Sequence, residues 1–165
     1  MGRIVLVTGG IRSGKSAFAL ARLQTAPLAT YLATARDIDP EMHARIARHK
    51  AERAEHIRTV ETRADAAKDI SVLPGGMAVF ECLGTWLNNY LWDSGLDFED
   101  PDREAAVAAG EAAEQEAGRL LAAAQKSAAE VWFVTNEVGM GLVPSTPIGR
   151  LYADTLGRIN QRIAK

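Results

Sequence analysis

The sequence predicts an α/β fold in three layers, a mostly parallel sheet flanked by helices. Three observations point to it. Short, continuous apolar runs alternate with helix-forming segments along the 165 residues, as strands buried on both faces do. The first run, Ile4-Val5-Leu6-Val7, leads straight into Gly9-Gly10-Ile11-Arg12-Ser13-Gly14-Lys15-Ser16. That is the G-x-x-x-x-G-K-[ST] spacing of a phosphate-binding loop set between a strand and a helix. A later run, Met77–Phe80, ends in Glu81, the place of a Walker B acid. Together they specify a fold of the P-loop NTPase type.

Each element follows from local sequence. Ile4–Thr8 reads as the first strand and Ser16–Leu23 as a helix with Phe18, Leu20 and Leu23 available for packing. Thr30–Thr34 is a second strand. Pro40–Arg53 reads as a helix charged on most faces, and Arg58–Glu61 as a short strand. Ala64–Val72 is a helix stopped by Pro74-Gly75-Gly76. Met77–Phe80 is a buried strand. Gly84–Trp92 is helical, with Trp86, Leu87, Tyr90 and Leu91 on an apolar face that suits either core or a subunit contact. After an acidic loop, Asp93–Pro101, the Ala/Glu-rich stretch Asp102–Ala129 is helical by propensity. Val131–Thr135 is a last buried strand, Asn136–Pro147 a glycine-containing loop and Ile148–Ala164 a final helix. No repeat or linker divides the chain, so residues 1–165 are expected to form one nucleotide-binding catalytic domain.

Composition narrows the class. A net charge of −2 leaves no large basic surface for nucleic acid. No apolar run is long enough to span a bilayer, and the N-terminus enters a strand without a signal-peptide pattern. Cys82 is the single cysteine, which excludes an intrachain disulfide and a cysteine-rich metal site. These features predict a cytoplasmic protein.

In a parallel sheet, sites lie at the C-terminal strand ends. That places Gly9–Ser16, Thr34, Glu81 and Asn136-Glu137 along one edge. Glycines let the amides of Gly9–Ser16 turn inward to phosphate oxygens. Lys15 reaches the β- and γ-phosphates, and the Ser16 hydroxyl and Glu81 carboxylate can hold Mg²⁺. On a helix, Arg45, His49 and Arg53 share one face. Neighbouring positive charges disfavour the imidazolium, leaving a neutral nucleophile among arginines able to hold a triphosphate. The same spacing also describes a solvated basic helix face. His43 and His56 read as surface residues. Asn136–Gly141 suits substrate or metal placement as well as a capped turn. No N-K-x-D element follows a strand, against a Ras-type GTPase.

Several segments together resemble the bifunctional adenosylcobinamide kinase/adenosylcobinamide-phosphate guanylyltransferases of cobalamin biosynthesis. They are V-T-G-G-I-R-S-G-K-S at 7–16, Y-L-A-T-A at 31–35, D-P-E-M-H-A-R-I-A-R-H-K at 39–50, R-T-V-E at 58–61, E-C-L-G-T-W-L-N-N at 81–89, T-N-E-V-G-M-G-L-V-P at 135–144 and G-R-I-N-Q-R-I-A at 157–164. The resemblance implies two reactions. ATP or GTP phosphorylates the hydroxyl of the aminopropanol arm of adenosylcobinamide. GTP then passes GMP through a guanylyl-histidine to that phosphate, releasing pyrophosphate. The family's R-I-x-x-H pattern falls on His49; some relatives carry two adjacent histidines where this chain has Arg48-His49. Nucleotide contacts are implied for Gly9, Gly10, Ile11, Arg12, Ser13, Gly14, Lys15 and Ser16, for Ala33, Thr34 and Ala35, for Lys50, Ala51, Glu52 and Arg53, and for Glu61 and Glu81. His49 and Lys15 would be catalytic. A homotrimer is implied, with a corrinoid and nucleotides as small-molecule partners. Relatives continue into a further strand and glycine-containing tail, whereas this sequence ends at Lys165. A P-loop kinase for another small alcohol, with His49 inert, and a non-catalytic nucleotide-binding module are the other readings the residues allow.

Overall fold

The computed structural model describes residues 2–63 and 65–165. In chain order it contains β1 (Ile4–Val7), α1 (Lys15–Gln24), β2 (Ala29–Ala33), α2 (Pro40–Ala51), β3 (Arg58–Glu61), α3 (Ala66–Ser71), β4 (Gly76–Glu81), α4 (Leu83–Asp93), α5 (Arg103–Lys126), β5 (Ala129–Val134) and α6 (Pro147–Ala164). The helix expected from Ala64 begins at Ala66, and Ala64 itself lies outside the described residues. The five strands form one sheet in the order β1-β5-β4-β2-β3, every pair parallel.

Strand alternation divides the core between two faces. Val131 and Phe133 of β5, with Ala78 and Phe80 of β4 and Leu32 of β2, belong to the cluster built with α3, α4, α5 and α6. Phe80 and Phe133 are register partners with ring centroids 5.5 Å apart. Val79, Trp132, Val134 and Tyr31 face the other way, towards Ala19 and Leu23 of α1. Most of the apolar face of α4 is core: Trp86, Leu87 and Leu91 are buried, whereas Trp92 turns outward, edge-on to Phe98. Along α5 the buried residues are mostly small, Ala109, Gly110, Ala113, Ala117 and Ala124 with Leu120. Small side chains let α5 lie close to the neighbouring helices α3 and α6. The helix stops at Lys126, earlier than propensity suggests, because Ser127 turns extended and its hydroxyl accepts from the Ala129 amide.

β4 begins on a backbone only glycine tolerates. Gly76 has φ 75, and a Cβ there would lie 2.2 Å from the Leu28 carbonyl oxygen. The strand order fixes the site. β1 and β4 are separated by β5, yet α1 crosses from β1 towards β2 and packs over β5 and β4. The start of α1 is thereby carried to the C-terminal end of β4.

Candidate active site

The phosphate loop joins β1 to α1 through Gly14, whose φ of 88 is the left-handed geometry that opens the helix. The first turn of α1 carries no acidic residue, and its N-terminal amides present the positive end of the helix dipole. Lys15 Nζ folds back on the loop, donating to the Gly10 carbonyl at 2.6 Å and lying 3.5 Å from Ser13 Oγ. A side-chain rotation alone would release it to a phosphate.

Ser16 Oγ donates to Glu81 Oε1 at 2.7 Å. The other carboxylate oxygen, Glu81 Oε2, is buried without a hydrogen-bond partner. Burial pushes the Glu81 carboxyl above its ordinary range, opposed by the Ser16 bond and by Lys15, Arg45 and Arg53. A buried oxygen without a donor is costly. A hydroxyl and a carboxylate at this separation fit a hard divalent cation that completes its shell with phosphate and water oxygens. No group of three or more His, Cys, Asp or Glu suited to a metal occurs among the described residues. A cation here would therefore depend on the oxygens of a bound nucleotide.

Glu81 also lines a cavity of about 400 Å³ between the ends of β2, β3 and β4 and helix α2. Ala33, Ala35, His49, Lys50, Arg53 and Glu61 all line it. Glu81 thus joins the cavity that holds the α2 histidine to the phosphate loop through Ser16, while no described residue of Gly9–Ser16 itself lines the cavity. Three expected positions sit differently. Thr34 is buried, its hydroxyl bonded to the Glu81 and Cys82 carbonyls and accepting from the Cys82 amide. It therefore pins β4 to β2, while Ala33 and Ala35 on either side line the cavity. Ala51 and Glu52 are exposed and outside the lining, although Glu52 Oε2 lies 3.5 Å from His49 Nδ1.

His49 has a side chain only 25% exposed. Its pKa is lowered first by burial, with Arg45, Arg48 and Arg53 adding to the effect and Glu52 opposing it. The flanking arginines anticipated from the sequence do contribute, but desolvation leads. α2 ends at Ala51, so Arg53 lies beyond the helix. Instead of extending the Arg45–His49 face, its guanidinium stacks 3.6 Å over the Tyr31 ring and donates to Thr59 Oγ1 at 3.1 Å. It still lines the cavity.

Lys50 Nζ is 3.3 Å from Glu61 Oε1, closing the β3 side of the cavity. Sequence reading missed Tyr31, which resembles any strand core residue until Arg53 stacks on it. It also missed Arg63 and Thr85 among the lining residues. His43, read as a surface residue, is 70% exposed yet lines the mouth, with Nδ1 2.6 Å from Asp37 Oδ2. Its neighbour Asp37 was the available signal.

Fold and site together define a nucleotide-binding protein of the P-loop NTPase type, with a histidine in the cavity that its strand-end acid also lines. The chain belongs to the cobinamide kinase/cobinamide phosphate guanyltransferase family, whose model matches residues 5–165. The bifunctional adenosylcobalamin biosynthesis protein CobU of Escherichia coli is 42% identical over 163 residues, 98% of this chain and 90% of its own. The protein of that name from Salmonella typhimurium is 41% identical over the same share. The bifunctional protein CobP of Pseudomonas aeruginosa is 35% identical over 97% of this chain and 86% of its own.

Proposed function

We propose that this protein phosphorylates the hydroxyl of adenosylcobinamide and then transfers GMP from GTP to the resulting phosphate. One observation carries the two-reaction reading: His49, whose pKa partial burial lowers, shares a cavity with Glu81, which is hydrogen-bonded to the phosphate-loop Ser16. Family membership supports both activities.

In the first reaction, Gly9–Ser16 hold the triphosphate through backbone amides, and Lys15 offsets the charge that grows on the transferring phosphoryl group. The cobinamide oxygen bonds to the γ-phosphorus, its proton leaves, and a nucleoside diphosphate departs. Mg²⁺, held by Ser16 and Glu81, would neutralise charge on the phosphate oxygens when bound. In the second reaction, a neutral ring nitrogen of His49 attacks the α-phosphorus of GTP. With Nδ1 beside Glu52, Nε2 is the nitrogen left for attack. The P–O bond to the β-phosphate breaks, and pyrophosphate leaves. A phosphate oxygen of cobinamide phosphate then attacks the same phosphorus. The P–N bond breaks, the electron pair returns to the imidazole, and adenosylcobinamide-GDP is released. Arg45, Lys50 and Arg53 supply the positive charge along this path.

The reading places the enzyme in the cytoplasm, as its composition suggests, and as a homotrimer, as the family resemblance implies. No described helix is long and apolar enough to cross a membrane.

Turnover of ATP and GTP with and without cobinamide tests the reading. Cobinamide should stimulate consumption of the nucleotide. Lys15→Ala should lower kinase turnover about a hundredfold or more, while His49→Ala should leave most of it. Equal loss in both variants, with the fold intact, would make His49 a general phosphate-site residue and remove the transferase half.

A further inference from the structure

The loop between β5 and α6 has no role in the transfers above, yet its backbone is held at both ends. At the near end, the Glu137 amide donates to the Gly9 carbonyl at 3.0 Å, tying the loop to the phosphate loop. Asn160 Nδ2 donates to the Asn136 carbonyl at 3.0 Å. The Glu137 carboxylate accepts from the amides of Gly139 and Met140. At the far end, Arg150 Nη1 donates to the carbonyls of Pro144 and Ser145, and the Thr146 hydroxyl caps α6.

On this held backbone the side chains point outward. Met140 is 91% exposed, Leu142 98% and Val143 80%. Ile11, in the phosphate loop to which Glu137 is tied, is 84% exposed. From Val138 to Gly149 there is no Asp, Glu, Lys or Arg, in a chain that is 24% charged. Single exposed apolar residues are ordinary; a run of them on a fixed segment beside a site marks a binding surface.

We propose that Met140, Leu142 and Val143 form the seat of the corrin macrocycle of the acceptor. The inference rests on cobinamide being the substrate. Two observations choose this occupant. The surface is continuous with the phosphate loop, and the reacting hydroxyl sits on a short aminopropanol arm. The ring that carries the arm must therefore lie within an arm's length of the γ-phosphate, at this edge of the sheet. Charge also discriminates. The α2 side of the mouth carries Arg45, Lys50 and Arg53, suited to the anionic nucleotide. The β5–α6 loop is uncharged and apolar, suited to a broad ring fringed with carboxamides. Backbone amides and carbonyls of the glycine-flanked loop would meet those carboxamides at its edge.

The test is the double variant Met140→Ser/Leu142→Ser, assayed beside the wild type in both reactions. The KM for cobinamide in the kinase step, and for cobinamide phosphate in the transfer step, should rise about tenfold. The KM for GTP and the labelling of His49 by GTP, which need no acceptor, should stay at wild-type level, as should the melting temperature. An unchanged KM for both corrinoids overturns the proposal. So does a variant whose oligomer dissociates in light scattering, since the surface would then be covered by a second copy. Wild-type protein that leaves cobinamide unphosphorylated removes the functional reading itself, which the variant comparison cannot imitate.

Discussion

At the scale of single residues, desolvation decides the chemistry. Burial lowers the pKa of His49 and raises that of Glu81, each disfavouring its charged form. For His49 the folded value lies below the ordinary histidine value of about 6.5. As pH falls from there to the folded pKa, the unfolded chain gains a proton that the folded chain refuses, so stability is lost in that window. The neutral ring persists over the same interval. Labelling of His49 by GTP should therefore keep half its maximal rate at a pH below about 6.5. A half-point above that value in a pH–rate profile would contradict the assigned environment. For Glu81 the sign is opposite: its contribution is present at low pH and lost as pH rises through the raised folded value. Glu81→Gln removes a buried charge while leaving an acceptor for Ser16. Its melting temperature at neutral pH should not fall below wild type, while kinase turnover drops about a hundredfold or more. Calorimetry and a coupled nucleotide assay read the two effects separately. The residue types at this site were legible because phosphate loops and strand-end acids have fixed spacing. The dominant cause of the His49 shift was not, since burial depends on what packs around α2.

At the scale of elements, α2 differs from the rest. It buries none of its twelve residues. Its start is set by Asp39, whose carboxylate accepts from the Met42 amide, and by Pro40. Its end is held by Gln24, which donates to the Glu52 carbonyl, and by the Arg53–Tyr31 stack. Few apolar contacts mean a low local opening free energy. Amides of residues 44–51 should exchange with deuterium faster than those of β4, β5 and α5, and GTP should slow them. Exchange as slow as in β5 without nucleotide would show anchorage that burial does not supply. The Asp39-Pro40 start was readable from capping chemistry. The end was misplaced because Lys50-Ala51-Glu52-Arg53 carries no glycine or proline to stop a helix, and Arg53 is drawn off it by Tyr31 and Thr59.

At the scale of the whole molecule, the sheet brings together residues from α1, α2, β2, β3 and β4. The buried pair Phe80–Phe133 ties the two central strands and the layer of α3–α6. Phe133→Ala should cost about 3–5 kcal/mol, seen as a lower urea midpoint, whereas Leu142→Ala should stay within about 0.5 kcal/mol. A small effect at Phe133 would mean that the core relaxes around it. The α/β class was legible because buried parallel strands are short apolar runs. The order β1-β5-β4-β2-β3 was not, because those runs look alike, and which strands become neighbours depends on crossover packing.

The central claim is that His49 carries GMP. Incubation with α-³²P-GTP, followed by acid treatment, tests it most directly. Acid-labile label should appear on the protein, vanish in His49→Ala and persist in His43→Ala. Absence of covalent label under conditions that sustain kinase turnover, or label that survives in His49→Ala, would contradict it.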